Sequence, residues 1–315
     1  MTERPMDGLV AWVYRRTGQY EEALPLDQMA FDRLRRELGE DHPETLTAAS
    51  HLGLVLRGLG RHEEALRVDQ DTLERCRRVL GEDHDDTAAA AYSVAVDLSN
   101  LGRHDEALRL GQDAQDGIRR IRGEDDPDTI TATKSVAISL TNLGRDEEAL
   151  LLFQDVLERR RRVLGEDDPD TLLSASDLAI HLRTLGWIGE AFDLDEDTLE
   201  RRRRVLGEDH PDTLTSAHNF ALDQSRMGLF EDALTLDRDT LERRRRVLGE
   251  DHPDTLSTAN NLAIDLSDLR RHREAVALHQ DTLERRRRVL GEDDPDTLVS
   301  VHNLHHAIED SNRSA

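Results

Sequence analysis

Between Pro253 and Leu290 the apolar residues fall into two stripes separated by a short polar turn. The first is Ala259, Leu262, Ala263, Leu266 and Leu269, spaced as one face of a helix. The second is Ala275, Leu278, Leu283, Val289 and Leu290, with Thr282 small enough for close packing. This pattern predicts two antiparallel helices, A and B, the second running from about His272 to Leu290. The stripes return every 42 residues, and the GEDHPDT stretch that opens them at Gly249 recurs with small changes at Gly39, Gly81, Gly123, Gly165, Gly207 and Gly291. A short two-helix unit cannot bury its own apolar faces, so a strict period of this kind predicts a stack of copies sharing one continuous core. The expected architecture is an all-α solenoid of antiparallel helix pairs. A truncated N-terminal repeat covers residues 1–38, six full units cover 39–290, and a capping helix with a polar tail covers 291–315.

The punctuation agrees with the stripes. Pro253 suits the first helical position, where its missing N–H costs nothing, and His252, or Asp126, Asp168 and Asp294 in other copies, stands at the N-cap. Glu250, Asp251 and Asp254 bring negative charge to the positive end of the helix dipole. Gly18, Gly60, Gly102, Gly144, Gly186 and Gly228 supply a permissive backbone between helices, and Arg270 replaces the Gly in the sixth full copy. In the first copy Leu9, Val10, Ala11 and Tyr14 occupy the places of Asn261, Leu262, Ala263 and Leu266. Its first helix is therefore short, as an N-terminal cap or the remnant of a longer ancestor. The last copy supplies helix A alone, from about Pro295 to Glu309. Truncating a core Leu such as Leu262 or Leu283 to Ala should cost about 2–5 kcal/mol.

Composition narrows the function classes. A net charge of -25 disfavours a nucleic-acid backbone or an anionic membrane as the main partner. The single cysteine, Cys76, has no intramolecular disulfide partner, which points to a reducing compartment. No apolar run is long enough to span a bilayer and no cleavage signal follows the N-terminal MTERPMDGLVAWVYRR, so the chain reads as soluble and cytosolic. Basic charge comes from 41 Arg and the lone Lys134, the mark of a GC-rich genome.

The NNLA of Asn260 to Ala263, the Glu274–Ala275 pair and the LGEDHPDT between copies resemble tetratricopeptide repeats, and the 42-residue unit with its GEDHP linker is similar to the kinesin light chain type. Comparable arrays occur in actinobacterial proteins, often behind a nucleotide-binding NB-ARC switch module. The resemblance implies a right-handed superhelical array that binds a peptide or protein segment in a concave groove lined by helix A. The family often places an Asn one residue before the core Leu, where it holds the ligand backbone. The matching residues are Asn219, Asn261 and Asn303, with Asp177, Ser135, Ser93 and His51 further back, which directs the expected site to the C-terminal half. Alongside stand Lys134, Arg183, His218, Asn260, Asn142, Arg226 and Asp268, with apolar Ile180, Leu222 and Ile264. Where the family wedges a large aromatic into helix B, this chain has Asp27, Asp69, Gly111, Phe153, Asp195, Asp237 and His279. Carboxylates in a packed seam need partners, so an inter-repeat ladder with Arg of a neighbouring helix is expected.

Other features carry less. The runs Arg159–Arg162, Arg201–Arg204, Arg243–Arg246 and Arg285–Arg288 look like nucleic-acid signals, but four successive helical residues fan over about 300°. With acids at i−4, such as Asp281 before Arg285 and Glu284 before Arg288, they read as solvated, locally neutralised surface. His302, His305, His306 and Glu309 share one side of the last helix, a metal-ligand spacing with no second segment to complete it; His302, His306 and Glu309 are the weak metal candidate. There is no phosphate loop, no GxSxG, no HExxH and no Cys–His pair, and hence no expected catalysis or cofactor. The leading expectation is a non-enzymatic protein-interaction scaffold. A ligand-sensing subunit of a signalling or transcriptional system, with any NB-ARC-like switch on another chain, stays open beside it, as does a metal-dependent helical enzyme.

Overall fold

The computed structural model describes residues 5–313, and those residues hold fifteen α-helices and no strand. They are α1 (Pro5–Arg16), α2 (Tyr20–Leu38), α3 (Pro43–Gly58), α4 (His62–Leu80), α5 (Asp85–Asn100), α6 (His104–Arg122), α7 (Pro127–Asn142), α8 (Asp146–Leu164), α9 (Pro169–Thr184), α10 (Ile188–Leu206), α11 (Pro211–Arg226), α12 (Phe230–Val247), α13 (Pro253–Asp268), α14 (His272–Leu290) and α15 (Pro295–Arg313). Odd-numbered helices are A helices and even-numbered ones B helices. They group into two compact units, residues 1–159 and 160–315. In the first unit α1 to α7 pack in sequence and the A helices α3, α5 and α7 also touch in succession; in the second, α9 to α15 do the same, with α11, α13 and α15 in contact.

The expected stripes are the core. Leu262, Leu266, Ala259, Ala263 and Ala275 are buried, and Leu234 and Leu241 from the preceding B helix pack on the same cluster. Ala on both sides of the A–B contact leaves no side chain to hold the helices apart. Val289 is a correction: it is exposed, while Leu290 beside it in the last turn of α14 is half-buried and takes the inward side. α15 also continues to Arg313 rather than stopping at Glu309.

The caps form as expected, His252 Nδ1 accepting from Asp254 N at 3.2 Å and Asp126 from Asp128 N at 2.9 Å. A further lock comes from the Thr of GEDHPDT. Thr255 Oγ1 donates to the Gly249 carbonyl at 2.8 Å, and Thr45, Thr87 and Thr129 repeat the bond, tying the linker to the first turn of the helix it precedes. Arg270 holds φ +60, the left-handed region that Gly occupies in the other copies.

The Arg runs depart most from expectation. In the run Arg285–Arg288 the first, third and fourth Arg are partnered at the surface: Arg285 with Asp281 and Asp251, Arg287 with Glu292, and Arg288 with Asp251 rather than Glu284. The second Arg of each run is buried. Arg160, Arg202, Arg244 and Arg286 are 2–8% exposed. Each donates to a first-turn carbonyl of the next A helix (Asp170, Asp212, Asp254, Asp296) and to a hydroxyl there (Ser174, Ser216, Thr258, Ser300), at 2.7–3.1 Å. Fanning around the helix is what sends one Arg of four inward.

Candidate functional site

On the A helices α9, α11 and α13, one aliphatic position per repeat points away from the core. Ile180 is 48% and Ile264 38% exposed, and Leu222 between them is half-buried. Asn219 and Asn261 lie three residues before Leu222 and Ile264, on the same face and half-buried, and Arg226 and Asp268 are exposed at the ends of their helices. This face joins amide donors and acceptors to exposed aliphatic carbon, the chemistry needed to hold a backbone and choose its side chains.

The other residues expected there divide. Asn303 Nδ2 donates to Asn260 Oδ1 at 3.0 Å, and Asn260 is buried, so this pair ties α15 to α13. Tyr92 and Ser135 make the equivalent tie in the first unit, 3.0 Å between hydroxyls. Lys134 is half-buried on α7 and belongs to the first unit. Arg183 is held inside the repeat junction. It is 7% exposed and donates Nε to Asp223 and Nη2 to Asp195 and Asp223, so its guanidinium is committed to two buried carboxylates on α10 and α11.

That cluster is the expected ladder. Arg57 makes the same bridge in the first unit, 2.6 Å to Asp69 and 2.6 Å to Asp97, and Arg15 pairs with Asp27. Burial pushes Asp69 and Asp195 upward, the paired Arg pulls them down, and the second carboxylate raises them again. Asp237 is as deeply buried but has no such Arg; His218 Nδ1 lies 3.9 Å from it and 3.5 Å from Thr258 Oγ1. Burial first, then Arg244 and Arg183, lowers the His218 imidazole to about 3, so it is neutral at physiological pH.

His302, His306 and Glu309 sit exposed on α15, with His306 reaching Asp310 at 3.2 Å and His305 reaching Glu309 at 3.7 Å. Among the described residues no three His, Cys, Asp or Glu side chains come together as a metal site. A cavity of about 560 Å³ opens in the first unit between α1, α2 and α3, beside Ala11, Arg15, Asp27, Met29 and His51; the sequence reading missed it.

The sequence matches the family model described as tetratricopeptide repeat over residues 6–71, 47–120, 86–161, 128–199, 170–245 and 223–288. No functionally curated protein matches it. Among solved structures it is similar to the nearly identical TPR-like repeats of a Podosopora anserina protein described as a kinesin light chain (21% identity, 64% of this chain and 98% of that one, TM-score 0.55). It is also similar to BtubC (BKLC) of P. vanneervenii (18%, 74% and 94%, 0.63). A third likeness is to the quorum sensor NprR of B. thuringiensis in its apo form (16%, 95% and 86%, 0.58), and to NprR in complex with its cognate peptide NprX (15%, 96% and 77%, 0.52). At these identities the likeness concerns the fold.

Proposed function

Because the chain belongs to the tetratricopeptide repeat family, we propose that it is a non-enzymatic scaffold that captures an extended or helical segment of a partner protein on the A-helix face of residues 160–315. The observation that carries this reading is the repetition of an exposed aliphatic residue beside a half-buried Asn, Ile180 to Ile264 with Asn219 and Asn261. Aliphatic carbon left in water at one position in successive repeats is the kind of surface that a segment covers. Asn219 and Asn261 hold the segment's backbone, and Ile180, Leu222 and Ile264 receive its apolar side chains. Asn303 supports the face through Asn260. A protein partner also suits the charge: the net value is -25, and Arg285, Arg287 and Arg288 pair with adjacent acids. No described helix is long and apolar enough to cross a membrane, and the working place proposed is the cytoplasm.

The test compares partners retained from lysate by the wild type and by Asn219→Ala/Asn261→Ala, with Asn303→Ala as a separate variant. The double substitution should lose the partner while leaving the helical circular dichroism and the unfolding midpoint nearly unchanged. Retention of every partner would move the site off this face.

A second reading makes the array the peptide-sensing part of a regulatory switch. It is supported by the fold shared with NprR, solved in complex with the peptide NprX. An NB-ARC-like nucleotide switch of the actinobacterial kind would then sit on a separate chain. Co-purification with an ATPase or a DNA-binding protein would favour this over a passive scaffold.

A further inference from the structure

Two seams of the ladder are bridged by an Arg, each leaving one carboxylate oxygen, Asp97 Oδ2 or Asp195 Oδ1, without a hydrogen-bond partner. Arg57 spans Asp69 and Asp97, and Arg183 spans Asp195 and Asp223, each joining a B helix to the next A helix. One repeat beyond Arg183 the two carboxylates recur as Asp237 and Asp265, 1% and 2% exposed, but Ser225 stands where the Arg would be. Ser225 Oγ donates to Asp265 Oδ1 at 2.6 Å. Asp237 Oδ1 and Asp265 Oδ2 are left buried with no hydrogen-bond partner. His218 takes part of the space, at the helix position that is Ser50 and Ser176 in the two repeats with the Arg. At 3.9 Å its Nδ1 is beyond hydrogen-bond reach of Asp237, and the neutral ring supplies no cation. Arg244, the other basic group facing Asp237, is committed to the Asp254 carbonyl and the Thr258 hydroxyl.

We propose that the seam between α11, α12 and α13 receives an arginine side chain of the captured segment, which supplies from outside the guanidinium that Arg57 and Arg183 supply from within. The inference rests on the groove reading above and names its anchor residue. Arginine is selected over lysine because the carboxylates stand on different helices. Arg183 spans them by offering Nε to one and Nη2 to both, a fork that a point-like ammonium lacks. In the Arg-bridged seams the guanidinium reaches the carbonyl of Ser93 at 3.3 Å or Asn219 at 3.5 Å, and Asn261, on the groove face, is the equivalent residue here; the incoming side chain enters past Ser225 and His218, which are half-buried.

Binding is coupled to a proton. Burial and the neighbouring Asp265, against Arg244, push Asp237 well above the usual carboxylate range. Burial raises Asp265 to about 6, with the Ser225 hydroxyl pulling down and Asp268 pushing up. An arriving guanidinium displaces the proton held by the pair, so affinity rises with pH.

The test titrates N-acetyl-arginine methylamide into the full chain by calorimetry, beside the uncharged isostere N-acetyl-citrulline methylamide and N-acetyl-lysine methylamide. The arginine probe should bind saturably, about tenfold or more tighter than either control, and tighten as pH is raised from about 4 to 6, the range over which the folded Asp265 gives up its proton. His218→Ser should strengthen binding several-fold. His218→Ser/Ser225→Arg, which completes the seam as Ser176 and Arg183 do, should abolish it, as should Asp237→Asn/Asp265→Asn, with circular dichroism confirming that both variants are folded. Equal binding of the three probes, or retention of the arginine probe by the filled seam, overturns the proposal. Failure of the probe while Asn219→Ala/Asn261→Ala still loses the segment overturns the arginine site alone. Selective probe binding in a chain whose segment capture ignores those two substitutions supports the arginine site and overturns the groove reading.

Discussion

The two units close their repeat junctions by opposite means at one position of helix B. In the first unit that position is Leu34, Cys76 and Ile118, and the residue facing it from the next A helix is Ala48, Ala90 or Ala132. Ile118 and Ala132 belong to one buried apolar cluster, as do Cys76 and Ala90. In the second unit the position is Arg160, Arg202, Arg244 and Arg286, and the facing residue is Ser174, Ser216, Thr258 or Ser300, each accepting from the guanidinium. At all seven joints an apolar residue is followed fourteen positions later by Ala, and an Arg by Ser or Thr. The fold tolerates a dry joint or a hydrogen-bonded one, but only as a matched pair: a buried guanidinium without acceptors, or a hydroxyl without its donor, costs more than either complete joint.

Mixing the joints should have the largest effect. Cys76→Arg sets a cation against Ala90, with no hydroxyl to receive it, and should destabilise the first unit by about 3–5 kcal/mol, seen as a lower urea midpoint. The same substitution with Ala90→Ser should recover about 1–3 kcal/mol of that loss, a coupling read from the double-mutant cycle. Arg202→Leu in the second unit strands the Ser216 hydroxyl and the Asp212 carbonyl and should cost about 2 kcal/mol. Adding Ser216→Ala, which rebuilds the dry joint, should bring stability back to within about 1 kcal/mol of wild type. If the paired changes simply add, the matching rule is wrong.

The smallest expected effect is on pH dependence. Asp265 binds its proton more tightly folded, at about 6, than unfolded, near 3.8. Its contribution to stability is therefore present below about pH 4 and is lost as pH rises through about 6. Surface carboxylates held low by Arg, such as Asp251 and Asp209, work the other way and lose theirs as pH falls. The difference between wild type and Asp265→Asn isolates the buried group: the variant should gain relative stability as pH is raised from 4 to 7, measured by urea midpoints across that range.

Most of the fold was legible because the stripes, caps and turn residues all carry the same 42-residue period, and α14 begins and ends where its pattern does. The Arg runs were misread because each was treated as one feature. The signal that separates the second Arg, a Ser or Thr fourteen residues later in place of Ala, needs the repeats compared column by column. Arg183 was misassigned for a related reason: it stands at the end of an A helix near the groove, and only the Asp residues twelve and forty positions ahead show where its guanidinium goes. Asn219 and Asn261 could be placed on a face from spacing alone. The tie between Asn303 and Asn260 could not, because the approach of neighbouring A helices is a tertiary distance.

Thr45, Thr87, Thr129 and Thr255 close their linkers within their own repeats, but the buried second Arg of each run reaches ten and fourteen residues ahead, into the unit that follows. Each module thus ends with a plug and begins with a socket, and the module from Gly165 carries the Ser174 socket that Arg160 needs. Duplicating a module from within 165–290 reproduces both halves and lengthens the chain cleanly. Exchanging it for one from 39–122 places a hydroxyl socket after an apolar plug or an alanine socket after a charged one. The units look alike by period, yet they form two alphabets, and recombination between them is filtered by chemistry at the joint rather than by length.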